Sequence, residues 1–124
     1  MKNLHIYIIL LTVLLFLIMC FGACACDWLS FSNDQIANAI YKAENSTKYP
    51  YGIMSIDTKG NKDYARKICI NTIQHARVDY QKEMPKDLDF IEYLSNRYCP
   101  PSCDFQGNIN WRKNVKYFLT KGVK

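Results

Sequence analysis

The sequence predicts a small, mainly α-helical domain that follows an N-terminal targeting segment. First, 124 residues suffice for one domain, and 49% of them are hydrophobic, which is too apolar for a disordered chain. Second, apolar residues recur at helical spacing in several segments, each bounded by a capping residue or by proline. Third, residues 6–21 form an almost uninterrupted apolar run, which is typical of a secretory signal.

The N-terminal segment has the three parts of an export signal: a basic start at Lys2, the apolar run, and small residues at its end. We place the signal at residues 1–25 and the folded domain at residues 26–124. Three fates of the segment stay open. Residues 21–24 resemble a lipobox, which would place a lipid on Cys24. Residues 23–25 resemble an A-x-A site with cleavage before Cys26, and the apolar run is also long enough to stay as a membrane anchor.

The cysteines that follow the segment are Cys26, Cys69, Cys99 and Cys103. Because an exported domain lies in an oxidising compartment, we expect disulfides among them, although four cysteines allow three pairings. The spacing of Cys99 and Cys103 is unlike that of a zinc site, and we expect neither a metal nor a cofactor. A cysteine nucleophile would need His75 as its base, and no motif supports that arrangement.

The first helix of the domain is predicted over residues 32–44. Ser32 and Gln35 have the spacing of a capping box, and apolar residues follow at the positions of one helical face. Pro50 and the polar residues before it end the helix. Residues 51–56 are expected as an ordered loop or a short strand, and residues 58–62 as a turn.

Three further helices are predicted. The longest covers residues 63–81, and the next covers residues 86–98, between prolines that cannot continue a helix. Asn110 is a good N-cap for the last helix, which we expect to end at Leu119 with Trp111 turned inward as a core residue. These helices follow one another without a long linker, which indicates a compact, mainly α domain.

Glu44 is the candidate catalytic residue. It follows Ile40 by one helical turn on the same face, so it continues the buried stripe of its helix. Partial burial and the negative end of the helix macrodipole both favour the neutral acid over the carboxylate. A carboxylic acid that stays protonated near neutral pH can protonate the leaving oxygen of a glycosidic bond. The alternative is a glutamate that merely ends a helix and turns to water.

The sequence around Glu44 resembles the soluble lytic transglycosylase and lysozyme-like group. In that group a helix ends in the catalytic glutamate, and a G-L-M-Q-I segment follows to line the sugar cleft. Here residues 36–44 correspond to the helix, and Gly52-Ile53-Met54-Ser55-Ile56 takes the place of the segment. Residues 96–101 (N-R-Y-C-P-P) and 110–115 (N-W-R-K-N-V) look like the R-Y-A-P … N-W-x-x-N-V ending of small peptidoglycan-cleaving domains. The resemblance covers residues 36–119.

The resemblance implies a lysozyme-like α fold and cleavage of the MurNAc–GlcNAc β-1,4 bond of peptidoglycan. Glu44 would be the general acid. In a transglycosylase it would also be the base, because the muramyl 6-hydroxyl attacks C1 and leaves a 1,6-anhydro product. A hydrolase would add a second carboxyl about 5–10 Å from Glu44, for which Asp57 and Asp63 are the nearest downstream candidates.

Five residues are predicted to bind the substrate: Tyr49, Tyr51, Met54, Ser55 and Tyr98. Tyr49 and Tyr51 would stack on sugar rings, and Ser55 would donate or accept a hydrogen bond from a sugar. Tyr98 would face the cleft and hydrogen-bond Glu44 or the substrate. The alternatives are ordinary loop tyrosines and, for Tyr98, a core residue.

The implied partners are peptidoglycan glycan strands and, through a lipid or an anchor, a membrane. The net charge of +5 favours anionic partners, but the basic residues are scattered, so nucleic acid is not favoured. We expect a monomer that is exported to the bacterial cell envelope, in the periplasm or anchored to a membrane. Asn45 and Ser55 stand where the family has Ser and Gln, which keeps a non-catalytic envelope lipoprotein or glycan-binding module as the alternative. A disulfide-stapled inhibitor or toxin is a third possibility.

Overall fold

The computed structural model describes residues 2–20 and 27–122. Within these residues the chain has no strand, and its α-helices are α1 (Lys2–Cys20), α2 (Asn33–Glu44), α3 (Lys62–Glu83), α4 (Phe90–Tyr98) and α5 (Phe105–Lys121). Single 3-10 turns lie at Trp28–Ser30 and Pro50–Gly52. The predicted mainly α class is therefore confirmed. The predicted lipidation at Cys24 and the A-x-A site lie outside the described residues.

The apolar N-terminal segment forms α1. Its side chains at residues 4–14 are exposed. Among the residues that the structure describes, no helix has both the length and the apolar character needed to cross a membrane. Signal, lipid attachment and anchor all stay predictions.

The helix that carries Glu44, α2, forms where the sequence predicts it. The Ser32 hydroxyl accepts a hydrogen bond from the Gln35 amide at 3.1 Å, and the Gln35 side chain accepts one from the Ser32 amide at 2.8 Å. This capping box satisfies two amides that the first turn of a helix leaves free. Asn45, with a φ of 45°, ends the helix in a left-handed conformation.

The last two helices begin at different residues from those predicted. α4 begins at Phe90 because Asp89 forms a capping box with Glu92. α5 begins at Phe105 because the Asp104 carboxylate accepts a hydrogen bond from the Gly107 amide at 2.7 Å. The expected cap Asn110 therefore lies inside α5. α3 matches its prediction within two residues at each end, and residues 53–56 form a loop.

The core lies among α2, α3, α4 and α5. Its largest fully buried apolar side chains are Tyr51, Phe90, Ile36, Ile40, Ile73, Ile91 and Leu94. Arg77 of α3 fixes the stretch before α2 to this core, because its guanidinium donates hydrogen bonds to the carbonyls of Leu29 and Phe31 and to the side chain of Asn33. The loop between α2 and α3 forms the surface next to Glu44.

Candidate active site

Glu44 is the last residue of α2 and is half-buried. Its Oε1 accepts a hydrogen bond from the indole Nε1–H of Trp111 on α5 at 2.7 Å. No donor in the described part of the chain reaches Oε2, and no buried side-chain oxygen or nitrogen there lacks a partner. Oε2 is therefore not fully buried. One oxygen is held in place while the other has no hydrogen-bond partner in the described chain.

The Glu44 carboxyl lies against the backbone of Gly52. A methyl group built on Gly52 would lie 2.5 Å from Glu44 Cδ and 2.6 Å and 2.8 Å from the two oxygens. Gly52 also has a φ of +67°, which glycine adopts at little cost. Any side chain at position 52 would therefore be strained and would push the carboxyl aside.

Trp111 connects Glu44 to a second aromatic ring. The rings of Trp111 and Tyr98 are stacked, with centroids 5.0 Å apart and planes 23° apart. The Tyr98 hydroxyl donates to Cys69 Sγ at 3.1 Å rather than to Glu44. Burial raises the pKa of Tyr98 well above its usual value and raises the pKa of the Cys69 thiol to about 11. Cys69 is thus a neutral thiol near pH 7 and not a nucleophile.

A groove of about 410 Å³, here called the Tyr98 groove, opens beside Gly52. Its walls are Gly52, Ile53, Met54, Ser55, Ile56, Ile68, Thr72, Arg97 and Tyr98. Glu44 does not line it directly, but its carboxyl contacts the Gly52 wall. None of these lining residues is a carboxylate.

A second groove of about 580 Å³, here called the lysine groove, meets the first at Met54, Ser55 and Ile56. Its remaining walls are Lys48, Tyr49, Asp57, Thr58, Lys59 and Gly60. In the part of the chain that the structure describes, neither lysine has an ion-pair partner. The two grooves therefore adjoin at residues 54–56, and the lysine groove carries two ammonium groups without ion-pair partners in the described chain.

The predicted binding residues fall into two groups. Met54, Ser55 and Tyr98 line the Tyr98 groove, and Tyr49 lines the lysine groove, so their roles stay predictions. Tyr51 needs correction. It is only 1% exposed, and its hydroxyl accepts a hydrogen bond from Arg66 at 3.2 Å. Because no face of its ring is open, Tyr51 cannot stack on a sugar.

The candidate second carboxylates, Asp57 and Asp63, do not line the Tyr98 groove beside Glu44. Asp57 lines the lysine groove, where its Oδ1 accepts a hydrogen bond from the Lys59 amide at 2.9 Å and closes a turn. Asp63 is an exposed residue in the first turn of α3. Both carboxylates therefore have local structural roles or positions in solvent.

The structure describes three of the four cysteines that the predicted disulfides involve. Cys69, Cys99 and Cys103 form no disulfide with one another in the described chain, and Cys26 lies outside it. The pairing therefore stays a prediction. His75 is exposed, whereas Cys69 is buried on the same helix, so the two do not form a nucleophile and base pair.

Sequence reasoning missed the role of Trp111. The prediction of a core residue is right for its burial, at 8% exposed, but omits its hydrogen bond to Glu44. The signal for this hydrogen bond lies in the chemistry of tryptophan, because a buried indole N–H usually donates to an acceptor. No comparable signal pointed to Arg66 or to the contact between Tyr98 and Cys69.

Comparisons of the chain with protein-family models, with curated proteins and with solved structures find no match. The family resemblance therefore rests on the sequence motifs alone. Support for any function therefore comes from the chemistry of the residues around Glu44.

Proposed function

We propose that the protein is an exported, lysozyme-like enzyme that cleaves the MurNAc–GlcNAc β-1,4 bond of peptidoglycan, with Glu44 as its general acid. The observation that carries this proposal is the environment of the Glu44 carboxyl. Trp111 holds Oε1, solvent reaches Oε2, and Gly52 contributes no side chain to the space beside them. A general acid needs this combination of a fixed position and an open oxygen.

No carboxylate of the described residues lines the Tyr98 groove, which favours the transglycosylase route. Protonated Glu44 gives its proton to the glycosidic oxygen as the bond from that oxygen to C1 of MurNAc breaks. The resulting carboxylate then takes the proton of the muramyl 6-hydroxyl, whose oxygen bonds to C1. The products are a 1,6-anhydromuramyl end and a free 4-hydroxyl on GlcNAc, and Glu44 is again protonated. No water is consumed, so the route needs no second carboxylate to activate it.

The surface next to Glu44 suits an anionic polymer. The two grooves adjoin at residues 54–56, and the lysine groove offers Lys48 and Lys59 without ion-pair partners in the described chain. Peptidoglycan strands carry carboxylates on their peptide substituents. Such a strand would bury sugars beside Tyr98 and Ser55 and place negative charge near the lysines. The proposed location is the bacterial cell envelope, reached through residues 1–25.

The test is the release of soluble muropeptides from purified peptidoglycan by the full chain in mild detergent. Glu44→Gln keeps the shape of the side chain and an oxygen that can accept the Trp111 hydrogen bond, but it cannot supply the proton. We expect this variant to lose about 100-fold or more of the activity. Asp63→Asn removes an exposed carboxylate from α3 and should keep full activity. A folded native chain that releases no muropeptides would contradict the proposal.

A second candidate is a glycan-binding module without catalytic activity. It is favoured by one observation, which is that Glu44 contacts the wall of the Tyr98 groove rather than lining it. This candidate predicts that the chain sediments with insoluble peptidoglycan, that Glu44→Gln binds equally well, and that neither protein releases muropeptides.

A further inference from the structure

The backbone beside Glu44 has an unusual conformation. Tyr51 has a φ of 60° and a ψ of 18°, which is the left-handed region that non-glycine residues rarely enter. It lies immediately before Gly52, which is also left-handed. A bulky residue keeps such a conformation only where its surroundings hold it there.

The side chain of Tyr51 is held by Arg66 of α3. Arg66 Nη1 donates to the Tyr51 hydroxyl at 3.2 Å and to Asn38 Oδ1 at 2.7 Å. Its Nη2 donates to Asp34 Oδ1 at 2.6 Å. One guanidinium thus ties the loop to α2 and α3. The planar donors of arginine suit this role because their directions are fixed relative to one another.

The loop transmits this constraint to Glu44. Gly52 follows Tyr51 directly, and its amide donates to the Tyr49 carbonyl at 2.9 Å. A rotation at Tyr51 would therefore move the Gly52 backbone, which already lies against the Glu44 carboxyl. That carboxyl is in turn the acceptor for Trp111. A continuous path of contacts runs from Arg66 to the carboxyl.

We infer that Arg66 is a positioning residue for Glu44. Through the Tyr51 hydroxyl it keeps residues 51 and 52 in the left-handed conformation that leaves room for the carboxyl and for its hydrogen bond to Trp111. The geometric part of this inference is independent of enzymatic activity. Its consequence for turnover rests on the proposed function.

Arg77 provides a matched control on the same helix. It also binds several groups through its guanidinium, but these groups lie in the stretch before α2 and include the Leu29 carbonyl and the Asn33 side chain. Replacing Arg77 should weaken the fold without disturbing the loop at Gly52. A general loss of stability can thereby be separated from a loss of positioning.

The test reads the Trp111 hydrogen bond directly. The chain contains two tryptophans, so a ¹H–¹⁵N NMR spectrum of the full chain in detergent shows one indole signal for Trp111 and one for Trp28. Tyr51→Phe removes only the hydroxyl and Arg66→Gln removes the guanidinium. We expect both variants to shift the Trp111 signal and leave the Trp28 signal in place. We expect Arg77→Gln to do the reverse, because Trp28 adjoins Leu29.

An unmoved Trp111 signal in folded Tyr51→Phe would overturn the inference, and so would an equal shift in Arg77→Gln. If Arg66→Gln does not fold, the shift of the Trp111 signal is measured in Tyr51→Phe and in Asp34→Asn. The second variant removes the carboxylate that Arg66 Nη2 binds. In an active enzyme Tyr51→Phe should lower kcat about tenfold with KM nearly unchanged, because misplacement of the acid affects the chemical step. A change in KM alone would overturn the positioning role. A chain that shows the Trp111 shift but cleaves nothing would keep the inference and reject the proposed function.

Discussion

The two ends of α2 are built in different ways. At the N-terminal end, Ser32 and Gln35 close a capping box between residues three positions apart. At the C-terminal end, Glu44 is held by Trp111, 67 residues further along the chain, and faces Gly52. Five of the seven positive-φ residues in the described chain lie between this end and α3: Asn45, Tyr51, Gly52, Lys59 and Gly60. Unusual backbone conformations therefore collect beside the proposed site, whereas the cap at the other end of α2 is local in sequence.

The largest effect is expected from one substitution at each end of α2. Glu44→Gln should lower muropeptide release about 100-fold or more and leave the free energy of unfolding nearly unchanged. Ser32→Ala should do the opposite and cost about 1 kcal/mol of stability with full activity. Activity assays and urea unfolding of both variants measure this. Equal losses of activity would mean that the two ends do not differ in function.

The next largest effect is expected from glycine substitutions. Gly52→Ala meets the Glu44 carboxyl and a positive φ, whereas Gly60→Ala meets only a positive φ, since nothing lies within 4 Å of its added methyl group. We expect Gly60→Ala to cost about 1 kcal/mol and Gly52→Ala clearly more, with activity lost only in the second. Thermal unfolding and muropeptide release measure both. Indistinguishable variants would show that the close contact with Glu44 is unimportant.

The buried thiol beneath the site should make stability depend on alkaline pH. The pKa of Cys69 is about 11 in the folded chain, above the ordinary value of 9.0. The unfolded thiol therefore loses its proton first, so stability is complete below about pH 9 and falls by about 2 kcal/mol as the pH rises to about 11. Urea unfolding across this range should show a smaller fall for Cys69→Ser. The exposed Cys103 gives the control, because Cys103→Ser should keep the full fall.

The smallest effect is expected in the lysine groove. Lys48→Gln and Lys59→Gln should each weaken binding to peptidoglycan about threefold at low salt, since exposed ion pairs contribute little. The difference from the native chain should disappear at high salt because exposed charges are screened. Lys82→Gln, at the exposed end of α3, is the control and should bind normally. Sedimentation with insoluble peptidoglycan measures this, and salt-independent losses would argue against electrostatic recognition.

The fold was predictable where the determinants are close in sequence. The capping box and the apolar face of α2 lie within the helix itself, so its boundaries followed directly. The starts of α4 and α5 were missed because Asp89 and Asp104 act as caps, several residues from the expected positions. More than one polar residue near each start is of a type that caps helices, so the sequence alone left several starting positions open.

The candidate site was predictable only in outline. Helical spacing pointed to Glu44, and the motif at residues 52–56 pointed to Gly52 and Ser55. The hydrogen bond of the Tyr51 hydroxyl was not predictable, because its partner, Arg66, lies 15 residues further along the chain. The contact of Tyr98 with Cys69 spans 29 residues and likewise follows from helix packing. Periodicity predicts which residues are buried but not which polar groups they meet.

The most direct test of the role of Glu44 is the mass of the muropeptides released from purified peptidoglycan by the full chain, measured beside Glu44→Gln. We predict products that are one water lighter than hydrolysed muropeptides, because a 1,6-anhydro end forms without water, and we predict them from the native chain alone. Reducing-end products would require a second carboxyl and contradict the transglycosylase route. Products that Glu44→Gln releases as readily as the native chain would contradict the role of Glu44 itself.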